Sequence, residues 1–110
     1  LRDRVKDMII SGGENVYPAE VENALRSHPD VLDVAVIGVA DAKWGERVTA
    51  VVVRRPAAAR DPDAIIEFAR ARIARYKCPK QVEYLDELPR NAAGKILRRE
   101  LRERFREPQT

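Results

Sequence analysis

The hydrophobic period changes several times along the 110-residue chain, and each change predicts an element. Val5-Lys6-Asp7-Met8-Ile9-Ile10 predicts a short strand, and Val16-Tyr17 the returning strand of a hairpin. Ser11-Gly12-Gly13-Glu14-Asn15 between them predicts a turn, because adjacent glycines reach positive φ at no steric cost. Pro18 suits the first position of a helix, with Glu20 and Glu22 near the positive end of its dipole. Val21, Ala24 and Leu25 share one face of this helix, and Pro29 ends it, since the residue before a proline avoids the α region. Val31 to Val39 reads as a strand that is apolar on both faces at Val34-Ala35-Val36-Ile37. A turn from Asp41 to Gly45 leads into a second, valine-rich strand, Arg47 to Arg54, expected to pair antiparallel with the first. Asp61 then N-caps a helix with Pro62 at its first position and an apolar stripe of Ile65, Ile66, Ala69 and Ile73, broken at Lys77-Cys78-Pro79. Val82 to Leu85 predicts a third strand, followed by a loop from Asp86 to Lys95 and a final helix with Leu97, Leu101 and Phe105 four apart. The order predicts an α+β fold: a small, mostly antiparallel three-stranded sheet flanked by helices, with an N-terminal β-hairpin.

Composition narrows the setting. The length fits one domain, and 45% hydrophobic residues support a modest core. The single cysteine, Cys78, excludes an internal disulfide, and a reducing, cytoplasmic setting is the expectation. Nothing resembles a signal peptide, and no apolar run approaches membrane-spanning length. The chain opens on Leu1-Arg2-Asp3-Arg4 without an initiator methionine and reads as a piece of something longer. The net charge is +3, and the segment from Lys95 to Glu107 alone carries six basic and three acidic residues, so the excess is local. A net charge of that size suits an anionic partner such as a nucleotide or CoA and equally suits ordinary solubility. One histidine and one cysteine give almost no support to a zinc site or a catalytic triad. His28, at a helix end before Pro29, reads as structural, and no metal site is expected.

Three stretches are candidates for chemistry. Pro89-Arg90-Asn91-Ala92-Ala93-Gly94-Lys95 reads as a mobile arm with a lysine at its tip, a compact charge able to reach a carboxylate and a phosphate together. On spacing alone, a turn and a solvated lysine at a helix start is the plainer reading. Gly94-Lys95 is not a P-loop, because the upstream glycine is missing and Ile96 stands in place of Ser or Thr. Ser11-Gly12-Gly13-Glu14-Asn15-Val16-Tyr17-Pro18 lets backbone pass close to a ligand, although a tight hairpin turn explains the same glycines. Asp3-Arg4-Val5-Lys6-Asp7 is a dense charge cluster, which suits a solvated linker and also a hinge.

Taken together, these stretches resemble the C-terminal domain of the adenylate-forming superfamily of acyl-CoA synthetases, amino-acid adenylation domains and beetle luciferase. The resemblance lies in Asp3-Arg4-Val5-Lys6, Gly12-Gly13, and Val16-Tyr17-Pro18-Ala19-Glu20-Val21-Glu22. It extends to Ala35-Val36-Ile37-Gly38, Trp44-Gly45-Glu46, Arg75-Tyr76-Lys77-Cys78-Pro79-Lys80 and Pro89 to Lys95. It covers nearly the whole chain and is specific through the order and spacing of its motifs. It implies that residues 1–110 are a lid domain, with residues 1–7 as hinge, of an AMP-forming ligase whose large N-terminal domain binds ATP and the acid.

In the implied reaction a carboxylate attacks the α-phosphate of ATP, and the thiol of CoA then displaces AMP. The resemblance assigns Lys95 to adenylation and Arg4 to the nucleotide. Lys6 becomes the hinge residue, and Ser11, Gly12 and Gly13 the loop on the CoA side. The Gly-Gly-Glu-Asn-Val-Tyr-Pro form looks most like fatty-acid–CoA ligases. The implied cofactors are ATP and CoA, with Mg2+ expected alongside ATP but held outside this chain. The implied partners are the large domain and a fatty acid, with no nucleic acid; a peripheral membrane contact of the longer enzyme is compatible with this. The chain alone is expected to be inactive. Two other readings stay open: the lid of a carrier-protein-loading enzyme, and a small basic nucleic-acid-binding module.

Overall fold

The computed structural model describes residues 7–106. The strands are β1 (Ile9–Ser11), β2 (Glu14–Val16), β3 (Val31–Asp41), β4 (Gly45–Arg54) and β5 (Gln81–Tyr84). The helices are α1 (Pro18–Arg26), α2 (Pro62–Arg70) and α3 (Arg98–Arg104), and a 3-10 turn spans Arg75–Lys77. The fold is α+β with an N-terminal hairpin, as expected.

The sheet is larger than three strands because the hairpin joins it. Its order is β2-β1-β4-β3, and β5 also pairs with β4. β3 and β4 form a long antiparallel hairpin from Val31↔Arg54 to Asp41↔Gly45. Along the other edge of β4 two strands lie end to end. β1 meets it at Ser11↔Gly45, and β5 runs parallel from Thr49↔Gln81 to Val52↔Tyr84. β5 reaches that parallel position through the crossover helix α2, as parallel neighbours require.

The doubly apolar run in β3 has a direct cause: both sheet faces are covered. Val34 and Val36 of β3 pack with Val48, Ala50 and Val52 of β4 under Val21 and Leu25 of α1 and Ile65 and Ala69 of α2. The alternate residues Ala35, Ile37, Val39, Val51 and Val53 pack on the opposite face against Leu88 and Leu101. The period of two therefore sends every second side chain to a different core.

α1 departs from the sequence reading. Its buried stripe is Pro18, Val21, Glu22 and Leu25, so Glu22 sits in the apolar face instead of merely near the dipole, and it is 2% exposed. Glu22 reaches around the free edge of β3. Its Oε2 accepts from the Val36 N–H at 2.8 Å, and both carboxylate oxygens accept from Arg98 Nη2 of α3 at 2.8 and 2.6 Å. One carboxylate thus caps an edge amide and ties the helical layers on the two sheet faces together. Pro29 is not the direct terminator of α1, which ends three residues earlier at Arg26.

α2 begins as predicted, with the Asp61 carboxylate accepting from the Ala64 N–H at 3.1 Å and Pro62 next. It is shorter than expected. Ala69 is its last buried residue, and the chain then tightens so that the Arg72 and Ile73 N–H groups both donate to the Ala69 carbonyl. Ile73 still packs on the core, but from a turn instead of a helix. His28 is structural: it is buried, its Nδ1 accepts from the Asp30 N–H at 3.0 Å, and its ring meets Phe68 edge-on at 4.7 Å.

Candidate functional site

Two of the three candidate stretches fall within the described residues, each as a tight turn. Arg4 and Lys6, and with them most of the expected hinge, lie outside the described residues. Asp7, the last residue of that segment, stands 3.8 Å from Arg98 and 3.7 Å from Arg102 of α3.

Gly12 and Gly13 form the two-residue turn between β1 and β2, with φ of +59° and +81°. Two successive positive φ values are the geometry that twists with the flanking strands, and glycine supplies it without strain. The hairpin is fastened to the sheet at its tip. The Gly12 N–H donates to the Trp44 carbonyl at 2.8 Å, and the Glu46 carboxylate accepts from the Ile10 N–H at 2.9 Å. Glu46 has room to do so because Gly38 lies beneath it: a Cβ there would come within 2.8 Å of Glu46 Oε2. Trp44 is placed by Asp41, whose carboxylate accepts from the Lys43 and Trp44 N–H groups at 2.8 and 3.0 Å. Those two bonds hold the Asp41 carboxyl below the usual carboxylate range.

The end-to-end arrangement of β1 and β5 along β4 leaves a groove of about 700 Å³ between them. One wall is Ser11, Gly12 and Trp44; the other is Tyr76, Cys78 and Lys80. The Lys80 ammonium lies 4.4 Å from the Trp44 ring centroid, and Arg70 and Arg75 also line the opening. Ser11 is 3% exposed, and its Oγ has no hydrogen-bond partner among the described residues. Cys78 is buried, which pushes its thiol up and removes it as a nucleophile. The groove therefore offers the cations Arg70, Arg75 and Lys80, one carboxylate from Glu14 and two exposed aromatic rings, with the Ser11 hydroxyl buried in its wall, a set that can take a partly planar ligand carrying negative charge. Sequence reasoning missed Trp44, Tyr76 and Lys80 as lining residues because their convergence depends on which strands share an edge of β4.

Lys95 lies elsewhere. Its loop is a second small hairpin, not a loose arm. The Leu97 N–H donates to the Pro89 carbonyl at 2.9 Å, Arg90 bridges Ile96, and the Asn91 N–H donates to the Lys95 carbonyl at 2.9 Å. Lys95 is exposed, three residues ahead of α3 and outside its first turn. Among the described residues no three His, Cys, Asp or Glu side chains converge to hold a metal ion, and no helix is long and apolar enough to cross a membrane.

Residues 20–95 match the family model described as the AMP-binding enzyme C-terminal domain. A feruloyl-CoA synthase from Amycolatopsis sp is 55% identical over 103 residues, covering 94% of this chain and 21% of that protein. The fatty acid–acyl-carrier-protein ligase ScoC of Streptomyces coeruleorubidus is 50% identical over 105 residues, covering 96% of this chain and 20% of that protein. The solved structure of a Mycobacterium tuberculosis fatty acyl CoA synthetase superposes with a TM-score of 0.87 at 51% identity, over 93% of this chain and 20% of that one. The chain spans about a fifth of the length of the relatives it matches.

Proposed function

The chain belongs to the AMP-binding enzyme C-terminal domain family, and on that premise we propose that residues 1–110 are the lid of an ATP-dependent, AMP-forming acyl-CoA ligase, inactive when alone. A carboxylate, a fatty acid in the leading reading, attacks the α-phosphorus of ATP, and pyrophosphate leaves. The thiol of CoA then adds to the acyl carbonyl, and AMP leaves. The reacting atoms sit on the large domain, and this domain supplies one face to each step.

The observation that carries this reading is the separation of the two turns. The Lys95 hairpin is tied to Asp33 of β3 by a 2.8 Å ion pair from Arg90, whereas Gly12 and Trp44 sit beside Asp41 and Gly45 at the other end of the strand. Eight residues of extended chain separate Asp33 from Asp41, about 26 Å. In this reading one reaction centre meets the two ends in succession, and the domain turns between steps. In the first pose Lys95 offsets the charge that builds as carboxylate and phosphate are brought together. In the second, the groove beside Gly12 takes the acceptor: the turn of Ser11, Gly12 and Gly13 faces its thiol arm through backbone, and Arg70, Arg75 and Lys80 face its phosphates. Arg4 as a nucleotide ligand and Lys6 as the pivot complete the proposal. Magnesium accompanies ATP on the large domain; no carboxylate cluster among the described residues fits it here.

The relatives differ in their acid and in their acceptor, yet each is about half identical to this chain. The choice of acid therefore belongs to the large domain. The ScoC similarity favours one alternative, an acyl-carrier-protein thiol as acceptor. Both acceptors are assayed by the same variant. A Cβ at Gly12 would meet the Trp44 ring at 3.0 and 3.2 Å, on a backbone at φ +59°. Gly12→Leu in the ligase carrying this domain is expected to abolish thioester formation while acyl-adenylate still accumulates. Unchanged turnover with CoA and with carrier protein would remove the acceptor role from this loop. Wild-type turnover with carrier protein alone would select the alternative.

A further inference from the structure

Lys95 is exposed at the closing position of a turn whose residues 91–95 are all exposed, and backbone hydrogen bonds set the course of the chain that carries it. The hydrogen bonds of the turn converge on Asn91. Its side-chain Oδ1 accepts from the Ala93 N–H at 2.9 Å and from the Lys95 N–H at 3.0 Å. Its own N–H donates to the Lys95 carbonyl, and its carbonyl accepts from the Gly94 N–H, both at 2.9 Å. The amide oxygen thus gathers two backbone N–H groups of an exposed turn that would otherwise bond to solvent. Gly94, at φ +85°, allows the chain to close around it. The turn is fixed in turn to the sheet. Arg90 Nε donates to the Gly94 carbonyl at 3.1 Å, and its Nη1 pairs with Asp33 of β3 at 2.8 Å. Both flanks of Lys95 are therefore held, one from inside the turn and one from β3.

We infer that Asn91 is a positioning residue for adenylation: its side-chain oxygen holds the turn in the one shape that aims Lys95, with Arg90 and Asp33 fixing that shape to the sheet. Asn91 touches no reacting atom in this account. It acts through the Lys95 backbone, so that the ordering of the arm is complete before substrate arrives. The inference rests on the proposed role of Lys95 in adenylation and adds a cause for its geometry. It replaces the picture of a flexible reach with a preset one.

The two half-reactions of the ligase that carries this domain separate the possibilities, with Lys95→Ala measured in parallel. Asn91→Ala removes the acceptor of both inward N–H groups. Misplacing a catalytic group by about 1 Å costs up to a hundredfold, so a loss of roughly tenfold to a hundredfold is expected in the rate of pyrophosphate release, in kcat rather than KM for ATP. Thioester formation from supplied acyl-adenylate is expected at the wild-type rate. Asn91→Asp keeps an oxygen at the same reach and is expected to restore most of the adenylation rate. A merely structural role would lower both half-reactions together, and that outcome overturns the inference. So does a normal adenylation rate in Asn91→Ala while Lys95→Ala is impaired, or equal loss in the alanine and aspartate variants. If Lys95→Ala itself adenylates normally, the proposed function fails first.

Discussion

Replacing Lys95 by alanine in the ligase proposed to carry this domain is expected to lower acyl-adenylate formation, read as pyrophosphate release, by roughly a hundredfold or more, and to leave thioester formation from supplied acyl-adenylate unchanged. The magnitude is that of one preorganised charge removed from a site where negative charge is being concentrated. Two anions must approach each other, and a fixed ammonium offsets that repulsion at no reorganisation cost. The asymmetry between half-reactions follows from the fold. The Lys95 turn is anchored at the Asp33 end of β3 and the groove proposed for the acceptor lies at the Asp41 end, so a defect at one need not reach the other. Stability should not move by more than about 0.5 kcal/mol, because the side chain is exposed. Lys95→Arg should recover only part of the rate, since a planar fork does not occupy the place of a compact ammonium. Equal loss in both half-reactions would contradict the two-pose assignment.

Much of this was legible in the chain itself. Gly12-Gly13 between short apolar runs predicted a hairpin, Pro18 and Asp61-Pro62 marked two helix starts, and the run Val34-Ala35-Val36-Ile37 announced a strand covered on both faces. Each of these is a local rule, and each held. What did not follow was long-range. The sheet gained two strands because Gly45 accepts the tip of a hairpin, and no residue pattern states which edge a hairpin will choose. The groove beside Gly12 depends on that choice and on the parallel placement of β5. Trp44 therefore looked like a turn residue until Gly12 was seen beneath its ring. The Lys95 loop was misjudged for another reason. Alanines and a glycine suggest slackness, whereas a single asparagine with its two inward bonds is enough to organise five residues. Asp41 does the same for the turn that carries Trp44. Both candidate loops are thus held by one device, a short carboxyl or amide oxygen bonding backbone two to four residues ahead.

Glu22 shows what periodicity alone could have revealed. It occupies the i+4 place of the stripe Pro18, Val21, Glu22, Leu25, a position normally apolar. A buried acid there requires partners, and it has them in the Val36 N–H and Arg98. Glu22→Ala should therefore cost this chain about 3 kcal/mol, because it leaves the largely buried Arg98 charge with only the more distant Asp7, at 3.8 Å, as counterpart and leaves an edge amide unbonded. A domain of this size holds roughly 5–15 kcal/mol in all, so the variant sits near the edge of folding. The measurement is a urea midpoint at constant m-value. Removing both charges together, Glu22→Met with Arg98→Met, should cost much less than Glu22→Ala, since no charge is then left buried without a counterpart. A double variant as unstable as the sum of its single changes would mean that the pair contributes through packing alone. Arg98 opens α3 only three residues after Lys95. The carboxylate that closes the edge of β3 therefore also fixes the far end of the segment that carries Lys95, the lysine proposed for adenylation, and loss of the Glu22–Arg98 pair is expected to loosen the seat of that turn.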